Sequence, residues 1–107
     1  MFGLKDLLQQ AQGLQSKLAS LQEELAQKTV VGSSGAGMVT VEANGAQEIL
    51  SIKIEKELIS PDEQEMLEDL IVAATNDALS RAKEMVTEEM SKLTGGIRIP
   101  GITDIQP

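Results

Sequence analysis

The sequence predicts an α+β fold: a long N-terminal helix, a small antiparallel sheet, a long C-terminal helix, and a second copy of the chain to complete the core. Three observations carry this expectation. An apolar seam at alternating spacings of three and four runs through the first 25 residues. Two alternating apolar runs flank an Asn-Gly pair in the middle. A proline-initiated helical pattern, free of internal proline, fills most of the remainder.

The first helix rests on Leu4, Leu7, Ala11, Leu14, Leu18, Leu21 and Leu25. This is an a/d heptad repeat held for three heptads, the pattern of a coiled-coil seam. Gln, Lys, Glu and Ser occupy most other positions, and Gly13 is a weak spot costing up to about 1 kcal/mol against alanine. The helix is expected from Phe2 to Lys28, and so narrow a seam needs a partner helix.

GSSGAG, residues 32–37, reads as a flexible connector of small residues. It lacks the lysine of a phosphate-binding loop and does not lead into a helix. MVTVEANG and AQEILSIKIE then read as two strands joined at Asn44-Gly45, a pair that favours the positive φ of tight hairpin turns. Val39, Val41 and Ala43 share one face of the first strand, and Leu50, Ile52 and Ile54 one face of the second. Val30 and Val31 are candidates for a short third strand.

Ser60-Pro61-Asp62-Glu63 carries several agreeing helix-start signals: serine as N-cap, proline at the first helical position, and glutamate placed for a capping box. The acids Asp62, Glu63, Glu65, Glu68 and Asp69 suit the positive end of the helix dipole. The apolar positions Leu67, Leu70, Ile71, Ala74, Ala78, Ala82, Met85, Val86 and Leu93 extend the helix to Leu93, with Gly95 as its C-cap. Residues 1–94 are thus expected to form one domain. Residues 95–107 form a tail, partly packed or disordered. Within the tail, Ile97 and Ile99 alternate with Arg98, so one face can pack on the protein while the arginine points outward.

A small hairpin is marginal alone, and the leucine seam is unpartnered. Homodimerisation is therefore expected, through Leu7, Leu14 and Leu18 of the first helix and Val39, Val41, Ile52 and Ile54 of the sheet.

The chain has no histidine and no cysteine, which removes the commonest general base and the soft metal ligands. The spacing of the acids scatters them around a helix. No enzyme activity, cofactor or metal is expected. No apolar stretch approaches the roughly 20 residues that span a bilayer, and the leucine helix lacks the Lys/Arg enrichment of membrane-surface helices. The expectation is a soluble intracellular protein.

The net charge is −8, unevenly distributed: residues 1–36 are neutral, whereas residues 61–94 carry nine acids against three bases. A basic footprint is the usual mark of nucleic-acid binding, so this balance favours a protein-binding adaptor or holdase-like module. The cations available to phosphates are Lys5, Lys17 and Lys28 on the first helix, Lys53 and Lys56 in the middle, Arg81, Lys83 and Lys92 on the second helix, and Arg98 in the tail. There are too few aromatics for base stacking, so any nucleic acid would be a duplex held by its backbone.

The order of elements, GMVTVEANG, LEDLIVAATNDALSRAKE and the closing LTGGIRIPG together resemble the YbaB/EbfC family of nucleoid-associated proteins. The resemblance covers roughly Leu4 to Gly101. It implies an α-β-β-β-α fold with a three-stranded sheet, a homodimer whose long helices project like tweezer arms, and DNA binding at the nucleoid in bacterial cytoplasm. On it, the candidate DNA-binding residues are Lys5, Lys17, Lys28, Arg81, Lys83, Lys92 and Arg98. Members of that family often have a Lys- and Met-rich first helix; here the helix is rich in Leu and Gln.

Overall fold

The computed structural model describes residues 3–93. Helix α1 spans Leu4–Gln27, strands β1, β2 and β3 span Thr29–Ser34, Val39–Asn44 and Ile49–Ile54, and helix α2 spans Gln64–Leu93. The strands form an antiparallel meander in the order β1-β2-β3. The α-β-β-β-α order expected from the sequence is the order observed. The tail, with Gly95, Ile97, Arg98, Ile99 and Ile102, lies outside the described residues.

Helix α1 is about 36 Å long at 1.5 Å per residue. Only Leu21 and Leu25, near its C-terminus, are buried, while Leu4, Leu7, Leu8, Leu14 and Leu18 are exposed. Most of the heptad seam therefore stands clear of the sheet as an arm. At the arm's base, the Gly45 N–H donates to Leu25 O at 2.9 Å and Lys28 O at 3.2 Å. These bonds occupy carbonyls that the end of a helix leaves unsatisfied. A Cβ on Gly45 would lie 2.4 Å from Leu25 O, so the docking of α1 on the β2–β3 turn requires glycine.

GSSGAG is not a flexible connector. Gly32, Ser33 and Ser34 complete β1, pairing with Val41, Thr40 and Val39. Gly35, Ala36 and Gly37 then make the turn with φ of 58°, 55° and 89°. Left-handed backbone of this kind is what glycine tolerates and what makes Ala36 unusual. Small residues are needed in β1 because α2 lies directly upon it. A Cβ on Gly32 would sit 2.2 Å from Ala78 N and 2.7 Å from Ala74 O. Side-chain and backbone bonds fix the approach: Ser33 N–H donates to Asp77 Oδ2 at 3.0 Å, and Ser34 Oγ donates to Leu70 O at 2.6 Å.

Helix α2 crosses β1 and β2. Its Ala74 and Ala78 join Val39, Val41, Ala43 and Leu58 in the core, flanked by Val30, Met38, Ile54, Leu67, Leu70, Ile71 and Leu79. Val39 and Val41 are the largest fully buried side chains, each worth roughly 1.5–3 kcal/mol of apolar burial. Strand β3 is the edge that α2 does not cover. A bulge opposite Glu42/Ala43 pairs Ile49, not Leu50, with Ala43. Ile49 thus joins Ile52 and Ile54 on the face of Val39 and Val41, and Leu50 becomes the unpaired extra residue.

Two local expectations need correction. The Asn44-Gly45 hairpin forms, but its positive φ falls on Gln47 at 64°, not on Asn44 or Gly45. Gln47 N–H donates to Asn44 O at 3.0 Å, a three-residue loop of turn plus left-handed residue. The buried Asn44 side chain braces it, with Oδ1 accepting from Ala46 N and Glu48 N and Nδ2 donating to Glu48 Oε1. At the other boundary, Ser60-Pro61 starts a single 3-10 turn, Pro61–Glu63, before α2. Ser60 makes no side-chain cap, and the turn is closed by Glu63 N–H donating to Ser60 O at 3.1 Å.

Three outcomes follow. Gly32→Ala forces a methyl into α2 backbone and lowers stability by about 3 kcal/mol in urea denaturation. Gly13→Ala, in α1 with nothing within 4 Å of its Cβ position, raises stability by up to about 1 kcal/mol. The third outcome concerns pH. The bond from Ser33 N–H, then the Arg81 guanidinium, hold the Asp77 carboxyl below its ordinary value. Its contribution is therefore complete above the ordinary carboxylate range, near pH 4, and lost as pH falls through the lowered value. Thermal midpoints from pH 6 down to pH 2 should fall less steeply for Asp77→Asn than for the parent.

Candidate nucleic-acid interface

The seven cations expected to meet phosphate do not form one patch. Lys5 and Lys17 are exposed on the α1 arm and make no ion pair among the described residues. Lys28, where α1 leads into β1, is paired: its Nζ lies 2.8 Å from Glu89 Oε1 on α2. Lys92 Nζ approaches the same oxygen at 3.6 Å. The bond from Lys28, reinforced by the charge of Lys92, holds the Glu89 carboxyl below its ordinary value against partial desolvation. Lys28 thus ties the base of the arm to the far half of α2, across 61 residues of chain.

Arg81 Nε lies 3.1 Å from Asp77 Oδ2, one helical turn away. Lys83 is exposed on α2 in a shallow groove shared with Glu84 and Glu88. Arg98 lies outside the described residues. Lys53 and Lys56 border a groove with Glu55 and Glu57. Exposed ion pairs are worth about 0–1 kcal/mol each, so a phosphate can displace them; the paired cations nonetheless begin with a competing carboxylate in place. Lys5 and Lys17 differ in standing on the arm without an ion-pair partner among the described residues, although α1 itself carries three acids, Asp6, Glu23 and Glu24, against these two lysines.

The residues expected at a self-association surface also separate. Val39 and Val41 are fully buried under α2 of their own chain, and Ile54 is half-buried. Leu7, Leu14 and Leu18 are 55%, 64% and 45% exposed, and Ile52 is 44% exposed. Beside Ile52, Ile49 and Leu50 extend the apolar surface of the β3 edge, and Val72 adds an exposed apolar residue on the outer side of α2. The pairing of Leu50, Ile52 and Ile54 assumed an unbroken strand, so the bulge concealed Ile49. Gly45 was legible as a turn residue, but its role under Leu25 has no local signal.

The acids Asp62, Glu65, Glu68 and Asp69 are exposed along the outside of the 3-10 turn and α2. Among the described residues, no three acidic side chains converge as a metal site requires, and no helix is long and apolar enough to cross a membrane.

Comparison with known proteins places this geometry. The YbaB/EbfC DNA-binding family matches residues 1–97. The chain is 54% identical over 101 residues to nucleoid-associated protein DP1429 of Desulfotalea psychrophila, covering 94% of this chain and 95% of that one. It is 50% identical over 101 residues to nucleoid-associated protein TTE0040 of Caldanaerobacter subterraneus, covering 94% and 91%. The same fold occurs in the crystal structure of the uncharacterized protein HP0035 from Helicobacter pylori. That match has a TM-score of 0.76 at 21% identity and covers 88% of this chain and 99% of that one. The family match spans both helices and the sheet between them, as the sequence resemblance implied, and the chain belongs to the YbaB/EbfC DNA-binding family.

Proposed function

We propose that the protein acts at the bacterial nucleoid as a homodimer that grips double-stranded DNA through its phosphates, with little sequence preference and no catalysis. Residues 1–94 act as the single folded unit. The observation that carries the reading is the α1 arm: among the described residues it is anchored at its base alone, with an exposed leucine seam and two lysines that make no ion pair. Its relatives are named nucleoid-associated proteins, and membership of a DNA-binding family supports the ligand.

The dimer rests on the exposed members of the apolar set, Leu7, Leu14 and Leu18 on the arm and Ile52 on β3. Val39, Val41 and Ile54 support them from beneath. Pairing two chains doubles Lys5 and Lys17 and covers apolar surface that one chain leaves in water. Lys28, Arg81 and Lys92 add to the phosphate contacts where a phosphate displaces their carboxylate partners, and Lys83 and Arg98 add further positive charge. Backbone contacts of this kind position a duplex without reading its bases.

The net charge of −8 favours a second reading, in which the arms hold a protein partner and DNA binding is insignificant. Gel-shift titration of random-sequence duplex across salt separates the two. Four lysine contacts per dimer give a slope of log affinity against log salt of about −3.6, or a roughly 100-fold loss between 50 and 200 mM. Lys5→Gln/Lys17→Gln should remove most of that slope, and Leu7→Asp/Leu14→Asp should weaken binding by separating the arms. No shift at 50 mM salt, or a slope unchanged by the lysine variant, supports the adaptor.

A further inference from the structure

The base of the arm carries an apolar cleft where the last leucines of the seam meet the far half of α2. Leu18, Leu21 and Leu25 of α1, Val86 and Met90 of α2, and Gly45-Ala46 of the β2–β3 turn line it, with the amides of Gln22 and Gln47 at its margins. Helix α2 continues only three residues beyond Met90, to Leu93. The 14 residues that follow lie outside the described structure and contain Ile97, Ile99, Ile102 and Ile105.

We propose that this cleft is the docking site of the chain's own C-terminal segment, with Ile97 and Ile99 seated against Leu18, Leu21, Val86 and Met90. Reach permits it. Val86 lies about 10 Å back along α2 from Leu93 at 1.5 Å per residue. After a reversal at Gly95-Gly96, the three residues from Ile97 to Ile99 in extended backbone cover about 10 Å on the way back. Gly95-Gly96 stands where the chain must reverse, and glycine is the residue that makes such a reversal after a helix without steric cost. In extended backbone, Ile97 and Ile99 fall on one side and Arg98 on the other. The spacing therefore matches a one-sided apolar cleft, at whose margin the Gln22 amide stands while the Gln47 amide donates to Leu79 O at 3.4 Å.

A second copy's leucine seam is the competing occupant. The tail is favoured because it is tethered a few residues from the site, so its effective concentration is in the millimolar range. The exposed leucines Leu4, Leu7 and Leu14 also lie outward along the arm, beyond the cleft. Seating the segment covers Leu18 and Met90, both now partly exposed, and stiffens the joint between α1 and α2 that the Lys28–Glu89 pair already bridges.

Methyl NMR on the full-length protein tests this. Contacts are expected between the Ile97 and Ile99 methyls and those of Leu18, Leu21, Val86 and Met90. They should persist in a sample diluted with unlabelled chain, because they form within one polypeptide. Ile97→Asp/Ile99→Asp should shift the methyl signals of those four residues, leave Val39 and Val41 unmoved, and lower the thermal midpoint by about 5 °C. Contacts that vanish on dilution with unlabelled chain would place a second copy in the cleft. Absence of any contact, with an unchanged midpoint in the variant, would leave the segment undocked. Either result overturns the proposal.

Discussion

The close approach of β1 to α2 governs the rest of this structure. Gly32 lies against the backbone of Ala74 and Ala78 with no room for a Cβ. The Ser33 and Ser34 bonds to Asp77 and Leu70 hold that distance along the strand. A chain with one aromatic residue cannot fill a wide core, so it brings helix and sheet together and fills the remaining space with alanine and valine. Interiors packed this closely tolerate little change in volume. The small residues are therefore as necessary to the core as the valines.

The same contact decides what stays uncovered. By lying along β1 and β2, α2 leaves the apolar side of β3 at an open edge. The rest of the core is too small to receive α1 beyond Leu21. Edge strands and helix seams of this kind are unstable as free surfaces. The proposed dimer answers that physical need and, in the same step, doubles the lysines of the arms. The charge distribution fits the arrangement. The acids concentrate on α2, where several flank its N-terminal end, while residues 1–36, which contain the arm, sum to zero.

Much of this was legible in the sequence. The heptad spacing located α1 within two residues at each end, Ser60-Pro61 marked the entry to α2, and alternation identified the buried face of β2. What escaped was long-range in origin. Gly32-Ser33-Ser34 looks like linker because its lack of bulk is explained only by α2, more than 40 residues later. Gly45 looks like a positive-φ turn residue, yet its hydrogen needs to reach the Leu25 carbonyl. The bulge that brings in Ile49 lies beside the turn that Asn44 braces, and the local alternation carries no mark of it. The ion pairs of Lys28, Arg81 and Lys92 were equally invisible. A list of cations carries no record of which carboxylates fold against them, and this separates the candidate cations that are ion-paired from those that are not among the described residues.

The central claim is that the arms of two chains pair along their leucine seams and together present Lys5 and Lys17 to a duplex. Because the sequence has no cysteine, Gln12→Cys places a single spin label per chain on the side of α1 away from the leucine seam. Pulsed dipolar spectroscopy then reports the separation of the two arms directly. The account predicts a clear dipolar modulation in the free protein and a narrower distance distribution on adding duplex DNA. A sample without dipolar modulation, or a distribution indifferent to DNA at concentrations that saturate binding, would contradict it.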